Sequence, residues 1–116
     1  MTKCKAKASP EDLAELAAAL SEPHRLRLLG MLVQGELCLC DLTAGIGLVS
    51  STVSSHMALL KRVGLVDSRK DGRWMFFRLT DTAAGAPAAE LLRWALENLP
   101  ESDKLPPETE IGACCP

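Results

Sequence analysis

Two cysteines separated by a single residue, Cys38 and Cys40, have a spacing that suits the binding of a metal ion. A deprotonated cysteine is a soft ligand, and a pair of thiolates selects soft ions over magnesium or calcium. A buried cysteine is also a common small apolar residue, so the pair alone is weak evidence. Because the pair lies in a turn beside Asp41, in a chain with five cysteines, we favour a ligand role.

Two ligands hold an ion poorly, so the pair needs further ligands from the chain or from a second subunit. The candidates are Cys4, Cys114 and Cys115. Structural zinc usually takes Cys-x-x-Cys pairs or added histidines, and we do not expect His24 or His56 to share a helical face with the cysteines. Trivalent arsenic or antimony, which three thiolates satisfy in a trigonal pyramid, fits this set better. We expect no organic cofactor.

Positive charge is concentrated in the middle of the chain, although the formal net charge is -2. Residues 50–80 contain six Lys and Arg against two Asp, and the regions on both sides carry net negative charge. A local basic region is what binding to nucleic-acid phosphates requires, because salt screens more distant charges. The alternative is an ordinary solvated face.

The sequence predicts four helices in its first half, because apolar residues recur there at helical spacing. A short glycine-containing turn joins the third and fourth helices, which is typical of a helix-turn-helix. Capping and breaking residues set the bounds of the helices. The first helix begins at Ser9-Pro10, and the second ends at Gly35. The third helix covers residues 40–44. The fourth helix has Ser50, Ser51 or Thr52 as its N-cap and ends at Gly64.

A β-hairpin and a last helix follow. Residues 65–70 and 73–79 read as strands, and Asp71-Gly72 between them is a strong signal for a two-residue turn. We expect Trp74 and the two phenylalanines to close the core beneath the hairpin. Residues 88–99 form a last helix with a wide apolar stripe, which faces either the core or the same helix of a second subunit.

Helices followed by a hairpin directly after a helix-turn-helix form the winged-helix arrangement, in which the fourth helix enters the major groove of DNA. We expect Val53 and Met57 to pack against the core on the opposite side of this helix. His56 is ambiguous, and packing inside the helix is favoured over a phosphate contact. The candidates for DNA contact are Thr52, Ser54, Ser55 and His56 on the helix and Arg69, Lys70 and Arg73 at the hairpin.

Length and composition suit one domain with a real core, since the chain has 116 residues, 47% of them hydrophobic. No apolar run reaches the ~20 residues of a membrane span, and no apolar segment follows the basic start. We therefore expect a cytoplasmic protein with reduced cysteines and no membrane partner. No nucleophile-base pair or phosphate loop indicates an enzyme. The predicted parts are an N-terminal arm (1–8), a winged helix-turn-helix domain with a C-terminal dimerisation helix (9–99) and a flexible cysteine-bearing tail (100–116).

Several stretches together resemble the ArsR/SmtB family of metalloregulatory repressors, and within it the arsenical-resistance repressors. Residues 36–42 (ELCLCDL) look like the family's ELCVCDL metal-binding box, and residues 51–61 (STVSSHMALLK) are similar to its recognition helix. Residues 22–26, 64–66 and 71–79 resemble the opening of its second helix and its wing.

The resemblance implies a mostly α-helical winged helix-turn-helix protein with a β-hairpin wing, which is dimeric through its terminal helices. Such a homodimer blocks double-stranded operator DNA and leaves it when an inducer, here As(III) or Sb(III), binds the cysteine thiolates. The resemblance to the recognition helix adds Ser51 and Lys61 to the candidates for DNA contact.

The sequence departs from the family pattern at particular positions. Thr43 stands where the best-known arsenic pattern has a third cysteine, so the three-thiolate site cannot be local. Ser55 stands where many relatives carry arginine, and the last helix lacks the Asp/His pairs that relatives use for zinc. Cadmium/lead sensors of the family combine the Cys-X-Cys pair with cysteines of the N-terminal arm, and Cys4 is available for this role. Other members bind arsenic or antimony through two adjacent cysteines elsewhere in the chain, and Cys114-Cys115 is a candidate for such a pair. A thiol redox switch without metal is a further alternative.

Overall fold

The computed structural model describes residues 9–81 and 86–104, so the predicted arm and most of the predicted tail lie outside the described residues. No helix in these two ranges is long and apolar enough to cross a membrane. The elements in chain order are α1 (Pro10–Ala19), α2 (Pro23–Met31), a 3₁₀ helix (Leu32–Gln34), β1 (Leu37–Cys38), α3 (Leu39–Ile46), α4 (Ser50–Arg62), β2 (Val66–Asp71), β3 (Trp74–Leu79), α5 (Pro87–Asn98) and a second 3₁₀ helix (Glu101–Lys104).

The starts of the helices follow from local capping. At α1 the Asp12 N–H donates to Ser9 Oγ at 3.1 Å, and the Ser9 N–H donates to the Asp12 carboxylate at 3.3 Å, which is the predicted cap. At α4 the N-cap is Val49, which makes no side-chain hydrogen bond. The prediction of a cap among residues 50–52 is therefore wrong, because the Val49 carbonyl already accepts the hydrogen bonds that begin the helix.

The predicted hairpin is present, and it belongs to a three-stranded antiparallel sheet with the order β1-β3-β2. Its two-residue turn is Gly72-Arg73, one residue later than the predicted Asp71-Gly72, because Asp71 still pairs with Trp74. Gly72 has φ +62°, a conformation that favours glycine. The additional strand, β1, pairs Leu37 with Phe77 and Cys38 with Phe76. The sheet therefore joins the cysteine pair to the hairpin.

The aromatic residues of β3 divide between two faces. Phe77 is buried, whereas Trp74 and Phe76 are only half-buried. The prediction that all three close the core is thus wrong for Trp74 and Phe76. Since successive side chains of a strand point to opposite faces, Phe76 cannot share the core face with Phe77.

The core lies between the helices and the inner face of the sheet. In α5, Leu92 and Ala95 are buried in the domain while Trp94 remains 60% exposed, so this helix keeps apolar surface outside the core. The main buried cluster comprises Leu16, Ala19, Leu28, Leu29, Met31, Leu32, Leu37, Leu42, Val53, Met57, Leu60, Leu65, Val66, Phe77 and Leu92.

The second 3₁₀ helix packs against α2 at a glycine. Gly30 is buried, and a Cβ at this position would overlap the carbonyl oxygen of Asp103. The first residues of the predicted tail thus lie against the domain, while the division of the chain at residue 99 stays a prediction.

Candidate metal centre and DNA-binding surface

The two predicted ligands Cys38 and Cys40 meet at the start of α3, where their Sγ atoms lie 2.7 Å apart. Cys38 is the N-cap, with extended backbone (φ -83°, ψ 163°), and its sulfur accepts a hydrogen bond from the Asp41 N–H at 3.4 Å. Because the chain turns from strand to helix here, two sulfurs separated by one residue reach the same point. Negative charge is favoured at this end of a helix.

The sheet determines where this pair lies. Cys38 is 1% exposed and pairs with Phe76, and its neighbour Leu37 is buried against the core. Cys40 follows in the first turn of α3 and is half-buried. One sulfur is therefore held by the sheet, while the other lies nearer the surface, where an ion can enter.

Asp41 completes a group of three potential ligands that sequence reasoning missed. One ligand atom from each of Cys38, Cys40 and Asp41 lies within 4.8 Å of the other two, and Asp41 is only 3% exposed. The one indication of this role in the sequence was the position of Asp41 directly after Cys40, in the first turn of α3. Two thiolates and one carboxylate suit a soft or borderline ion, since magnesium and calcium need more oxygen ligands.

The structure does not extend to the other predicted ligands. Cys4, Cys114 and Cys115 lie outside the described residues. Thr43, which occupies the position of the family's third cysteine, donates its hydroxyl hydrogen to the Leu39 carbonyl at 2.8 Å. Cys40 is therefore the one residue of α3 that can supply a thiolate.

α4 presents a polar face opposite its buried one. Val53 and Met57 are fully buried, as predicted, so the opposite side of the helix is turned to solvent. Short polar side chains on an exposed helix after a turn are typical of a helix that enters the major groove. Among the predicted contact residues, Ser51, Ser54, Ser55 and Lys61 are exposed and Thr52 is half-buried.

His56 has the packing role that we favoured. Its Nδ1 lies 3.1 Å from the guanidinium of Arg25, which also donates to the carbonyls of Ala18 at 3.0 Å and Ala19 at 2.8 Å. Desolvation, with the charge of Arg25 nearby, lowers the pKa of His56. The pair ties α4 to the C-terminal end of α1, and a contact between His56 and DNA stays a prediction.

Arg69, a predicted DNA contact in β2, is held by an acid. Its Nε and Nη2 donate to the two carboxylate oxygens of Glu36 at 2.8 and 2.7 Å, and its guanidinium lies 4.5 Å from the centre of the Phe76 ring. The hydrogen bonds to Arg69 lower the pKa of Glu36, and those to Glu36 raise the pKa of Arg69. A wing cation is thus bound to the residue that precedes β1.

The other two predicted wing cations are at the tip of the hairpin. Lys70 and Arg73 are both exposed, and the guanidinium of Arg73 lies 5.5 Å from the ring centre of Trp74. Exposed cations beside a protruding turn suit contact with a phosphate backbone.

The chain matches the family model "Bacterial regulatory protein, arsR family" over residues 22–68. This stretch runs from the N-cap of α2 into β2 and therefore contains the cysteine pair, α3 and α4.

Three curated relatives show the breadth of the family. The chain is 37% identical over 93 residues to the transcriptional repressor SmtB homolog of Synechocystis sp., with 80% of this chain and 67% of that protein covered. It is 38% identical over 77 residues to the cadmium resistance transcriptional regulatory protein CadC homolog of Staphylococcus aureus, with 66% and 64% covered. It is 37% identical over 67 residues to the arsenical resistance operon repressor of Escherichia coli, with 57% of each covered.

Solved structures share the fold. HlyU from Vibrio cholerae is 33% identical, with a TM-score of 0.59 and coverage of 72% of this chain and 90% of that one. The homodimeric winged helix-turn-helix DNA-binding domain of Mb0332 from Mycobacterium bovis is 26% identical, with a TM-score of 0.62 and coverage of 77% and 84%. These relatives are regulators and not enzymes, as the sequence predicted. The chain belongs to the arsR family of bacterial regulatory proteins and has their winged helix-turn-helix fold.

Proposed function

We propose that this protein is a repressor that binds operator DNA as a homodimer and leaves it when As(III) or Sb(III) binds Cys38 and Cys40. The observation that supports this most is the meeting of the two sulfurs, 2.7 Å apart, at the N-terminus of the first helix of the helix-turn-helix. α3 packs directly against α4, so an ion at this point acts on the helix that reads DNA. If the ion-bound form fits DNA less well, linkage requires that DNA weakens ion binding by the same factor.

A second route leads from the pair to the wing. Cys38 is paired with Phe76 of β3, and Glu36, two residues before Cys38, holds Arg69 of β2. A shift of β1 on ion binding therefore changes the wing as well as α3. Both elements that face DNA are coupled to one pair of ligands.

The choice of ion follows from the number of thiolates. Cys38 and Cys40 supply two, and one more from Cys4, Cys114 or Cys115 completes a trigonal pyramid for trivalent arsenic or antimony. The similarity to the Escherichia coli arsenical resistance operon repressor supports this inducer. The similarity to the Staphylococcus aureus CadC homolog favours the alternative, a cadmium/lead-responsive repressor that uses Cys4.

The DNA-binding form is a dimer in this proposal. α1 and α5 expose Leu13 and Trp94, at 47% and 60%, and apolar side chains of this kind suit an isologous contact between two copies. The Mycobacterium bovis domain is homodimeric. In such a dimer the two α4 helices occupy successive major grooves of an inverted repeat. We place the protein in the cytoplasm, where thiols stay reduced.

A thiol redox switch is the second candidate, and the close approach of the two sulfurs favours it. A peroxide would take two electrons and two protons from the thiols and leave a disulfide and water. Release of DNA that peroxide causes, and that chelators do not prevent, would distinguish this switch from a metalloid sensor.

X-ray absorption at the arsenic edge of arsenite-loaded protein tests the ligand set. We expect three sulfur neighbours in the wild type, and fewer in Cys38→Ser and in Cys40→Ser. Cys4→Ser, Cys114→Ser and Cys115→Ser serve as matched variants. The variant that lacks the third thiolate should show one sulfur neighbour fewer, and the other two variants should show the wild-type number. An unchanged sulfur count in both Cys38→Ser and Cys40→Ser would refute the proposed site.

A further inference from the structure

Val49, the N-cap of α4, is the most exposed large apolar side chain of the described residues, at 68%. The turn that carries it, between α3 and α4, is anchored by Ile46 and Leu48, which pack against the core. Gly47 between them has φ +79°, and a Cβ there would meet no atom within 4 Å. The turn therefore holds one apolar side chain in solvent, next to an open surface.

Valine is also an unfavourable residue for the start of a helix. Ser, Thr, Asp and Asn are preferred at an N-cap, because their side chains accept a hydrogen bond from the first turn. Ser50 follows directly, yet the helix begins from the Val49 carbonyl, which accepts from the N–H groups of Thr52 and Val53 at 3.1 Å. One exposed apolar residue is ordinary on a protein surface. One that also leaves a helix without a side-chain cap breaks two local rules, and such conflicts are expected at functional sites.

The position of Val49 in the fold indicates what this side chain contacts. α4 is the second helix of the helix-turn-helix, and in this motif the N-terminal residues of that helix contact base edges in the major groove of DNA. Apolar side chains in the major groove contact the C5-methyl group of thymine, which the other three bases lack. An exposed valine at this end of α4 suits that contact.

The exposed serines of α4 leave a need for such a residue. Ser51, Ser54 and Ser55 are exposed on the helix, and a hydroxyl group can both donate and accept hydrogen bonds. Serine therefore pairs with any of the bases and discriminates poorly between them. A methyl contact identifies one base, so Val49 can supply the discrimination that the serines lack.

We propose that Val49 contacts the C5-methyl group of a thymine in each half-site and so determines part of the operator sequence. This inference rests on the proposed function, since it requires that α4 enters the major groove. The apolar contact also explains why a capping residue is absent at this position. A serine there would stabilise α4 in the free protein but would give up the methyl contact.

Replacing thymine by deoxyuridine tests the contact, because the two bases differ only in the C5-methyl group. The DNA is an operator fragment that the protein selects from random sequences, with deoxyuridine at one thymine position of both half-sites at a time. Fluorescence anisotropy measures Kd for each fragment. We expect one position at which the change weakens wild-type binding about fourfold for each half-site, because one methyl group leaves an apolar contact.

Two variants at the same position separate the methyl contact from helix capping. Val49→Ser and Val49→Thr both provide a cap for α4, so urea unfolding should show them at least as stable as the wild type. Val49→Ser should bind the thymine and deoxyuridine fragments about equally. Val49→Thr keeps one methyl group and should retain part of the preference. Val33→Ser, at an exposed valine of the first 3₁₀ helix, is the matched control and should retain all of it.

The outcomes distinguish this contact from the proposed function. Equal wild-type affinity for every deoxyuridine fragment, a selected operator without thymine in its half-sites, or a full thymine preference in Val49→Ser would each overturn the contact and leave the proposed function intact. A thymine preference that depends on Val49, in a protein that arsenite does not release from DNA, would support the contact and refute the proposed inducer. A wild type that selects no DNA sequence would refute both.

Discussion

Arg69 in β2 forms a bidentate ion pair with Glu36, the residue that precedes β1, with N–O distances of 2.8 and 2.7 Å. The two residues are 33 positions apart in the sequence. Cys38 lies two residues beyond Glu36 on the same short segment. A cation of the wing and a candidate metal ligand are therefore connected by one stretch of backbone. The pair restrains Arg69, which would otherwise be available to a phosphate.

Glu36→Gln should strengthen DNA binding in the absence of inducer. The change removes the charge that holds Arg69, so one more cation in each protomer can neutralise a phosphate, and the salt dependence of log K for the dimer should steepen by about 1.8. Fluorescence anisotropy with an operator fragment at several salt concentrations measures the slope. Glu97→Gln, on the exposed surface of α5, controls for the loss of one negative charge. An identical slope in wild type and Glu36→Gln would contradict this role.

Cys38→Ala should be less stable than Cys38→Ser. The Cys38 sulfur caps α3 by accepting the Asp41 N–H, and a serine hydroxyl can accept the same hydrogen bond while alanine cannot. Losing the cap costs about 1 kcal/mol, which urea unfolding monitored by circular dichroism resolves. Equal midpoints for the two variants would show that the sulfur has no capping role.

Gly30→Ala should detach the second 3₁₀ helix from α2. The new methyl group overlaps the carbonyl oxygen of Asp103, and backbone cannot move aside as a flexible side chain can. α2 itself gains about 1 kcal/mol of helix propensity, so the domain should stay folded. Hydrogen exchange read by mass spectrometry should rise at residues 101–104 and not in α4. Unchanged exchange at residues 101–104 would contradict the packing.

Stability should fall when the pH drops below the ordinary His56 pKa of 6.5, because burial and Arg25 lower its pKa in the folded state. The unfolded chain then binds a proton that the folded protein does not, and this loss continues down to the lowered folded-state pKa. Urea unfolding between about pH 7.5 and about pH 5 checks this range, which is the one where histidine titrates. His56→Gln should reduce this pH dependence of stability. An equal pH dependence in wild type and variant would contradict the role of His56.

The sequence was most informative where structure is local. The Ser9 cap, the hairpin turn at Gly72 and the buried positions of α4 are set by neighbouring residues. All were predicted, although the turn begins one residue later than expected. β1 has two residues and no periodicity, so only its pairing with β3 defines it.

The same reason explains what sequence reasoning missed at the site. Nothing near Arg69 in sequence indicates that it is paired with Glu36, because the partners meet only after the sheet has formed. Asp41 was missed because its burial beside the sulfurs depends on how α3 packs.

The central claim is that an ion at Cys38 and Cys40 drives release of DNA. Its most direct test is the anisotropy of an operator fragment, selected from random DNA by the protein itself, during titration with arsenite. We predict that wild type, Cys38→Ser and Cys40→Ser bind the fragment equally well without arsenite, and that only the wild type releases it. If both serine variants release the fragment at the same arsenite concentration as the wild type, the result would contradict the account.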